Sequence, residues 1–173
     1  MRARFKEHMD TIKSIAFSPN GRSLISGSDD ASVRIWNLRD GLSKIMPAIG
    51  MPSLFISVAF SPDGRYIVGG HYDNPLWIWD SRKHTLVAKW SGHTSRVRCI
   101  LFTPDGKGMI NGSDDGTVKY WDLSSIGSGS EAQSFGEIRR FSGHTVRFLV
   151  LPLSHMLIET SEFRSFCWVL PCQ

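Results

Sequence analysis

The chain contains an internal repeat of 42 to 43 residues, and this repeat limits its possible folds more than any other feature. Prolines that mark the same phase of three units are Pro19, Pro62 and Pro104, spaced by 43 and 42 residues. Tryptophans that recur with the same two spacings are Trp36, Trp79 and Trp121. Two residue types seldom recur with the same spacings by chance. A period of this length is typical of proteins built from stacked structural units.

Within each unit the sequence alternates with a period of two, which predicts short β-strands. In the first unit the alternation covers Ile12–Phe17 and is followed by a turn at Ser18–Gly21, where Pro and Asn-Gly suit the turn conformation. Further strands are predicted near 23–27, 32–37 and 42–46, with a tight turn at Asp29-Asp30. Four short antiparallel strands per unit make one blade of a propeller. No segment has a convincing helical period, so the fold class is predicted to be all-β.

The repeated units resemble the WD-repeat β-propeller family over about residues 1–145. Gly92-His93 and Gly143-His144 resemble its Gly-His pair, and the Trp-Asp ending is present at Trp79-Asp80 and Trp121-Asp122, with Trp36-Asn37 as a variant. Both His8 to Trp36 and His93 to Trp121 span 28 residues. Within the family, the run of units, the long insertion before Gly143 and turns such as WNLRDG are similar to fungal Tup-type transcriptional corepressors.

The resemblance implies a partial propeller with three complete four-stranded blades plus a degenerate fourth. The blades occupy residues 1–144, as units of about 9–50, 51–92 and 93–143. Residues 1–8 are assigned to the outer strand of a missing blade, because ARFKEH aligns with AKWSGH and RRFSGH. Residues 145–173 are either a degenerate fourth repeat or an aberrant C-terminal tail.

The recurring His, Ser, Asp and Trp residues are interpreted as structural rather than catalytic, since they return once per unit and no GxSxG, P-loop, HExxH or EF-hand motif is present. The resemblance implies a tetrad in which the indole bonds a hydroxyl, the hydroxyl a histidine, and the histidine an aspartate. The expected members are His8, Ser26, Asp30 and Trp36 in unit one, and His93, Asn111, Asp115 and Trp121 in unit three, where Asn111 replaces the hydroxyl. Unit two keeps Asp73 and Trp79 but has Met51 and Gly69 at the other places, so its network is expected to be broken.

The resemblance also implies a non-catalytic scaffold that binds proteins or peptides. The expected partner-binding residues are Thr11, Lys13, Asp29, Leu54, Ile56, Tyr72, Arg96, Arg98 and Asp114. The alternative is a substrate receptor of a cullin–RING ubiquitin ligase, because Trp79-Asp80-Ser81-Arg82 fits the Trp-Asp-x-Arg ending of that family's adaptor-binding box. The open ends of an incomplete propeller would favour self-association.

Composition argues against several other classes. The net charge of +4 is scattered instead of concentrated in a patch, which does not favour direct nucleic-acid binding. Cys99, Cys167 and Cys172 form no CxxC pair and are odd in number, so neither a disulfide framework nor a zinc site is expected. Since the P-loop, HExxH and EF-hand motifs are also absent, no cofactor is expected. The longest apolar run, 148–158, is too short to span a membrane. We expect an intracellular protein of the nucleus or cytoplasm.

Overall fold

The computed structural model describes residues 5–47, 54–73, 75–124 and 126 as an all-β structure. The strands of the first sheet are β1 (Ile12–Phe17), β2 (Ser23–Ser28), β3 (Val33–Asn37) and β4 (Ser43–Ile45). Those of the second are β5 (Phe55–Phe60), β6 (Tyr66–His71), β7 (Leu76–Asp80) and β8 (Thr85–Trp90). Those of the third are β9 (Val97–Phe102), β10 (Gly108–Ser113) and β11 (Val118–Asp122). Each sheet is antiparallel with its strands in chain order, and we name the sheets blades one, two and three.

The turn between the first two strands of each blade follows the predicted pattern. In blade one the Gly21 N–H donates to the Ser18 carbonyl at 2.8 Å. Gly21, Gly64 and Gly106 have positive φ angles of 65°, 69° and 68°, a conformation that glycine adopts without steric cost. The same turn chemistry therefore sets the first hairpin of all three blades.

The blades pack face to face through two apolar clusters. Ile25 and Val33 of blade one meet Phe55, Val58 and Trp79 of blade two. At the interface between blades two and three, the buried residues include Val68, Leu76, Ile100, Met109 and Trp121. Because one sheet face of blade two packs on each neighbour, β7 is buried along its whole length.

The all-β, partial-propeller fold class is confirmed. The structure describes two four-stranded sheets and one three-stranded sheet, and the fourth strand expected for blade three lies outside the described residues. The degenerate repeat or tail at 145–173 and the Gly143-His144 pair also lie outside them. Residues 5–8 precede β1 without forming a strand, and the Phe5 ring packs on Trp36 with centroids 5.3 Å apart. Trp90, at the equivalent position before β9, stacks on Trp121 with ring centroids 5.5 Å apart.

Candidate functional site

The tetrad residues of blade one form a continuous hydrogen-bond chain. The Trp36 indole N–H donates to Ser26 Oγ at 2.7 Å, and Ser26 Oγ lies 2.6 Å from His8 Nε2. His8 Nδ1 lies 2.7 Å from Asp30 Oδ2, and the same carboxylate oxygen accepts the Met9 N–H at 2.9 Å. The chain thus links β3 and β2 to the segment before β1 and to the β2–β3 turn.

Blade three has the same arrangement with an amide in place of the hydroxyl. The Trp121 indole N–H donates to Asn111 Oδ1 at 2.6 Å, and this oxygen lies 3.0 Å from His93 Nε2. His93 Nδ1 lies 2.9 Å from Asp115 Oδ2, which also accepts the Thr94 N–H. Gly92, which precedes the histidine, leaves room for the indole, since a Cβ there would lie 2.7 Å from a Trp121 ring carbon.

Each of these networks also contains a Ser or Thr hydroxyl on the aspartate, which the four-residue tetrad pattern does not include. Ser32 Oγ donates to Asp30 Oδ1 at 2.6 Å, and Thr117 Oγ1 donates to Asp115 Oδ1 at 2.5 Å. Both hydroxyl oxygens also approach the histidine Nδ1. The signal was a Ser or Thr two residues after the tetrad aspartate, which units one and three share and which unit two replaces with Pro75.

These contacts change the acidity of the two aspartates. Burial acts to raise the pKa of Asp115, but hydrogen bonds from Thr117, the Thr94 N–H and His93 outweigh it and hold the pKa at about 2. The pKa of Asp30 is likewise lowered against burial by Ser32, the Met9 N–H and His8. Because folding lowers these pKa values, the ionised carboxylates stabilise the fold above the ordinary pKa of about 3.9, and this contribution is lost as the pH falls toward the folded values.

Blade two has an aromatic cluster where its neighbours have the tetrad. Gly69 occupies the position of Ser26, and the Phe55 ring fills the space above it, 5.8 Å from the Trp79 ring and 5.1 Å from His71. The Trp79 indole N–H donates to the Pro47 carbonyl of the preceding unit at 2.7 Å. Asp73 is exposed, and Met51 lies outside the described residues. The roles of Phe55 and Pro47 depend on packing between strands and between units, so the pattern of tetrad residues in unit two does not reveal them.

The predicted partner-binding residues lie at one edge of the three blades. In each blade one backbone hydrogen bond joins the turn between the second and third strands to the start of the first strand. The residue that follows the second strand donates its N–H to the carbonyl of the residue just before the first strand. These equivalent bonds are Asp29 to Thr11 at 2.9 Å, Tyr72 to Leu54 at 2.9 Å and Asp114 to Arg96 at 3.0 Å. We call this edge, with the nine predicted residues, the turn edge.

At the turn edge, blades one and three each have an ion pair within the blade, whereas a side chain of blade two contacts blade three. Lys13 Nζ lies 2.8 Å from Asp29, and Arg98 makes a bidentate pair with Asp114, with Nη2 at 2.7 Å. Ile56 and Tyr72 of blade two cannot form such an ion pair. The Tyr72 ring instead lies 4.0 Å below the Arg96 guanidinium of blade three, and Arg96 also donates to the Tyr72 hydroxyl.

The described residues contain neither a metal-binding cluster nor a membrane-spanning helix. Within that part of the chain, no group of three or more His, Cys, Asp or Glu side chains is placed to hold a metal ion. Nor does it contain a helix long and apolar enough to cross a membrane.

The repeated antiparallel blades and their His–Asp–Trp networks define the class of WD-repeat propeller blades. The sequence matches the WD domain, G-beta repeat family (WD40) over residues 1–37, 53–80 and 84–122, and the chain belongs to this family. The fold typically serves as a non-catalytic scaffold for protein interactions.

Curated proteins similar to this chain match it over single repeats. They include POC1 centriolar protein homolog A of Danio rerio, 54% identical over 35 residues, and ribosome biogenesis protein bop1-A of Xenopus laevis, 49% identical over 37 residues. Striatin-3 of Rattus norvegicus is 55% identical over 31 residues. The matches cover 20%, 21% and 18% of this chain, but only 8%, 5% and 4% of these relatives. The named relatives do not support the narrower resemblance to Tup-type corepressors.

Two solved structures share the fold. The structure of U3-55K and the crystal structure of RRP9 WD40 repeats each align over 81% of this chain with a TM-score of 0.71 and 21% sequence identity. The alignments cover 42% and 41% of those chains, so this chain spans less than half their length. At this identity the likeness shows the fold alone.

Proposed function

We propose that this chain is a non-catalytic scaffold that binds a protein or peptide partner through the turn edge. The contact between Tyr72 and Arg96 is the main support, because it joins two blades at the edge where the three equivalent backbone bonds align. A partner that engages this pair would contact both blades at once. Tyrosine and arginine are also among the residues that most often dominate binding energy at protein interfaces.

The ion pairs beside this contact support the same proposal. The Lys13 and Arg98 side chains are each about two-fifths exposed, at 40% and 41%, so a partner can reach them. Exposed ion pairs of this kind add little to folding stability, typically about 0–1 kcal/mol. Their charges are therefore available to orient a partner at little cost to the fold.

Affinity capture from a cell lysate with matched variants tests the turn edge. Arg96→Ala and Tyr72→Ala should lose partners that the wild-type chain retains, while Arg22→Ala should keep them. Arg22 is exposed on the β1–β2 turn, which antiparallel geometry places at the opposite edge of blade one. Thermal melts establish that each variant is folded. Partners lost with Arg22→Ala but retained by both turn-edge variants would contradict the proposal.

A ligase substrate receptor is the second candidate, because Arg82 is exposed on a well-fixed turn. Asp80 Oδ1 accepts the Arg82 and Lys83 N–H groups at 2.9 and 2.8 Å, so the turn presents the Arg82 side chain to solvent. This role predicts co-purification with the ligase adaptor that Arg82→Ala abolishes and Lys83→Ala preserves. No adaptor bound to the wild-type chain would reject this candidate.

We also propose self-association through the face of blade one that carries Ile12 and Ile15. Ile12 and Ile15 are 49% and 54% exposed, whereas the register-equivalent Phe55 and Val58 of blade two are 1% and 4% exposed beneath blade one. Clustered apolar surface of this kind favours association. Light scattering should show oligomers that Ile15→Asp reduces. A monodisperse wild-type monomer would contradict this.

The names of the relatives, a ribosome biogenesis protein and a centriolar protein, support an intracellular location in the nucleus or cytoplasm. A role as a corepressor fragment is a narrower form of the scaffold proposal. Tethering the chain to a DNA-binding domain at a reporter gene tests this role: a corepressor should lower reporter expression relative to the DNA-binding domain alone, and unchanged expression would reject the role.

A further inference from the structure

The two hydrogen-bonded tetrads differ at one position, and this difference changes the number of protons that the network requires. Blade one has Ser26 between the tryptophan and the histidine, whereas blade three has Asn111. A serine hydroxyl can accept one hydrogen bond and donate its own hydrogen, whereas an amide oxygen only accepts. The histidines on the two groups therefore face different chemistry.

The orientation of the Asn111 amide is fixed by Trp121. An indole N–H can only donate, so the Asn111 atom 2.6 Å from it must be the oxygen. The amide nitrogen points elsewhere and has no hydrogen-bond partner among the described residues. His93 Nε2 lies 3.0 Å from the same oxygen. Because that oxygen has no hydrogen to give, Nε2 must carry one.

The other ring nitrogen of His93 must also donate. Nδ1 lies 2.9 Å from Asp115 Oδ2 and 3.1 Å from Thr117 Oγ1. The Thr117 hydroxyl hydrogen is already directed at Asp115 Oδ1, at 2.5 Å. The Asp115 carboxylate also accepts the backbone N–H groups of Thr94 and Thr117. Its pKa is lowered to about 2 against burial, so at neutral pH it is ionised and offers no hydrogen.

In blade one the histidine needs one proton fewer to satisfy the same contacts. Ser26 Oγ accepts the Trp36 indole N–H and can donate its own hydrogen to His8 Nε2, 2.6 Å away. Only Nδ1 of His8, which faces Asp30 at 2.7 Å, then needs to carry a hydrogen. A neutral imidazole satisfies every contact in blade one.

We infer that His93 is held as a doubly protonated imidazolium in a buried ion pair with Asp115, whereas His8 is a neutral imidazole. The side chains of His93 and Asp115 are 0% and 8% exposed, so the pair is largely removed from water. The nearby cation of β11, Lys119 Nζ, is directed to the Gly92 carbonyl at 2.7 Å. One buried positive charge is thus balanced by one buried carboxylate, as a stable buried pair requires.

This charge makes blade three sensitive to pH in a way that blade one is not. An unfolded histidine has a pKa of about 6.5 and is mostly neutral at about pH 8. The folded blade three would then hold one more proton than its unfolded chain, so its stability falls as the pH rises. Asn111 is the residue that creates this dependence.

Nitrogen-15 NMR of the histidine side chains tests the proton count in the whole chain. At about pH 8, we expect both His93 nitrogens to show protonated shifts, while His8 shows one protonated and one unprotonated nitrogen. In Asn111→Ser, which installs the blade-one residue, His93 Nε2 should change to the unprotonated shift. An unprotonated nitrogen on wild-type His93 at this pH overturns the inference, whether or not the variant folds.

Denaturant unfolding as a function of pH gives an independent measurement. Between about pH 7 and 9, the folded-to-unfolded ratio of the wild type should fall by up to about tenfold per pH unit more steeply than that of Asn111→Ser. The slope of stability against pH reports the difference in bound protons, whereas a general loss of stability shifts the whole curve without changing that slope. The converse variant Ser26→Asn should steepen the slope. Parallel slopes for wild type and Asn111→Ser would overturn the inference.

Discussion

Blades one and two have the same strand order and register but are held together by different chemistry. Ile15 pairs with Ser26 and Val58 pairs with Gly69 at the same place in the two sheets. A buried hydrogen-bond chain runs from that place in blade one, while aromatic rings pack there in blade two. The comparison teaches that strand alternation and turn residues set the blade, and that the tetrad is one of two ways to stabilise it.

The two solutions also differ in where the tryptophan is anchored. Trp36 donates to Ser26 within its own sheet, whereas Trp79 donates to the carbonyl of Pro47, which belongs to the preceding unit. Blade two therefore depends more on its neighbour for a satisfied indole. In repeat proteins, such interfaces between neighbours carry much of the stability.

The largest effect is expected from removing the ring that replaces the tetrad. Phe55 is 1% exposed and contacts His71, Trp77 and Trp79, so Phe55→Ala should lower the free energy of unfolding by about 3–5 kcal/mol. Denaturant unfolding measures this. Phe17→Ala is the matched control, because Phe17 is 61% exposed in blade one and should change stability little. Equal losses would show that the Phe55 cluster does not hold blade two.

The second prediction concerns restoring the missing hydroxyl. Gly69→Ser should destabilise by about 1–3 kcal/mol, since a Cβ at Gly69 would lie 3.0 Å from ring carbons of both Phe55 and Trp79. The reciprocal change Ser26→Gly should also destabilise, because it leaves the His8 and Trp36 nitrogens without their partner. A stabilised Gly69→Ser variant would mean that the tetrad and the ring cluster can coexist in blade two.

Most of the fold could be predicted from the sequence. The alternation at Ile12–Phe17 and the proline–glycine turns act locally, and both predicted features are present in the structure. The replacement chemistry of blade two could not be predicted so directly, because it depends on how Phe55 packs against a glycine fourteen residues later. A large ring at one strand position and a missing side chain at its partner position is the signal that could have suggested it.

The candidate site was predictable to a similar extent. A fixed 28-residue spacing from histidine to tryptophan marks the tetrads, because the pairing register is the same in each blade. The contact between Tyr72 and Arg96 joins two blades, so no pattern within a single repeat reveals it. The sequence also does not reveal the left-handed backbone of the β2–β3 turn in blade one. Ala31 has a φ of 64° there, whereas the equivalent residue of blade three is a glycine, Gly116, with a φ of 76°.

This turn gives the smallest predicted effect. Ala31→Gly should raise the free energy of unfolding by up to about 1 kcal/mol, because relief of left-handed strain is partly offset by the greater freedom of glycine in the unfolded chain. Gly116→Ala in blade three is the mirror-image control and should lower stability by about as much. Thermal melts of both variants provide the comparison. A loss of stability in Ala31→Gly would contradict the strain argument.

Paired alanine substitutions at the two equivalent turn aspartates test the central comparison most directly. Asp30→Ala should cost about 2–4 kcal/mol in denaturant unfolding, because it removes the acceptor of His8, Ser32 and the Met9 N–H. Asp73→Ala should cost clearly less, since Asp73 is exposed and contributes its backbone N–H, not its carboxylate, to the bond with His71. Comparable losses at the two sites would contradict the account that blade one depends on its tetrad and blade two does not.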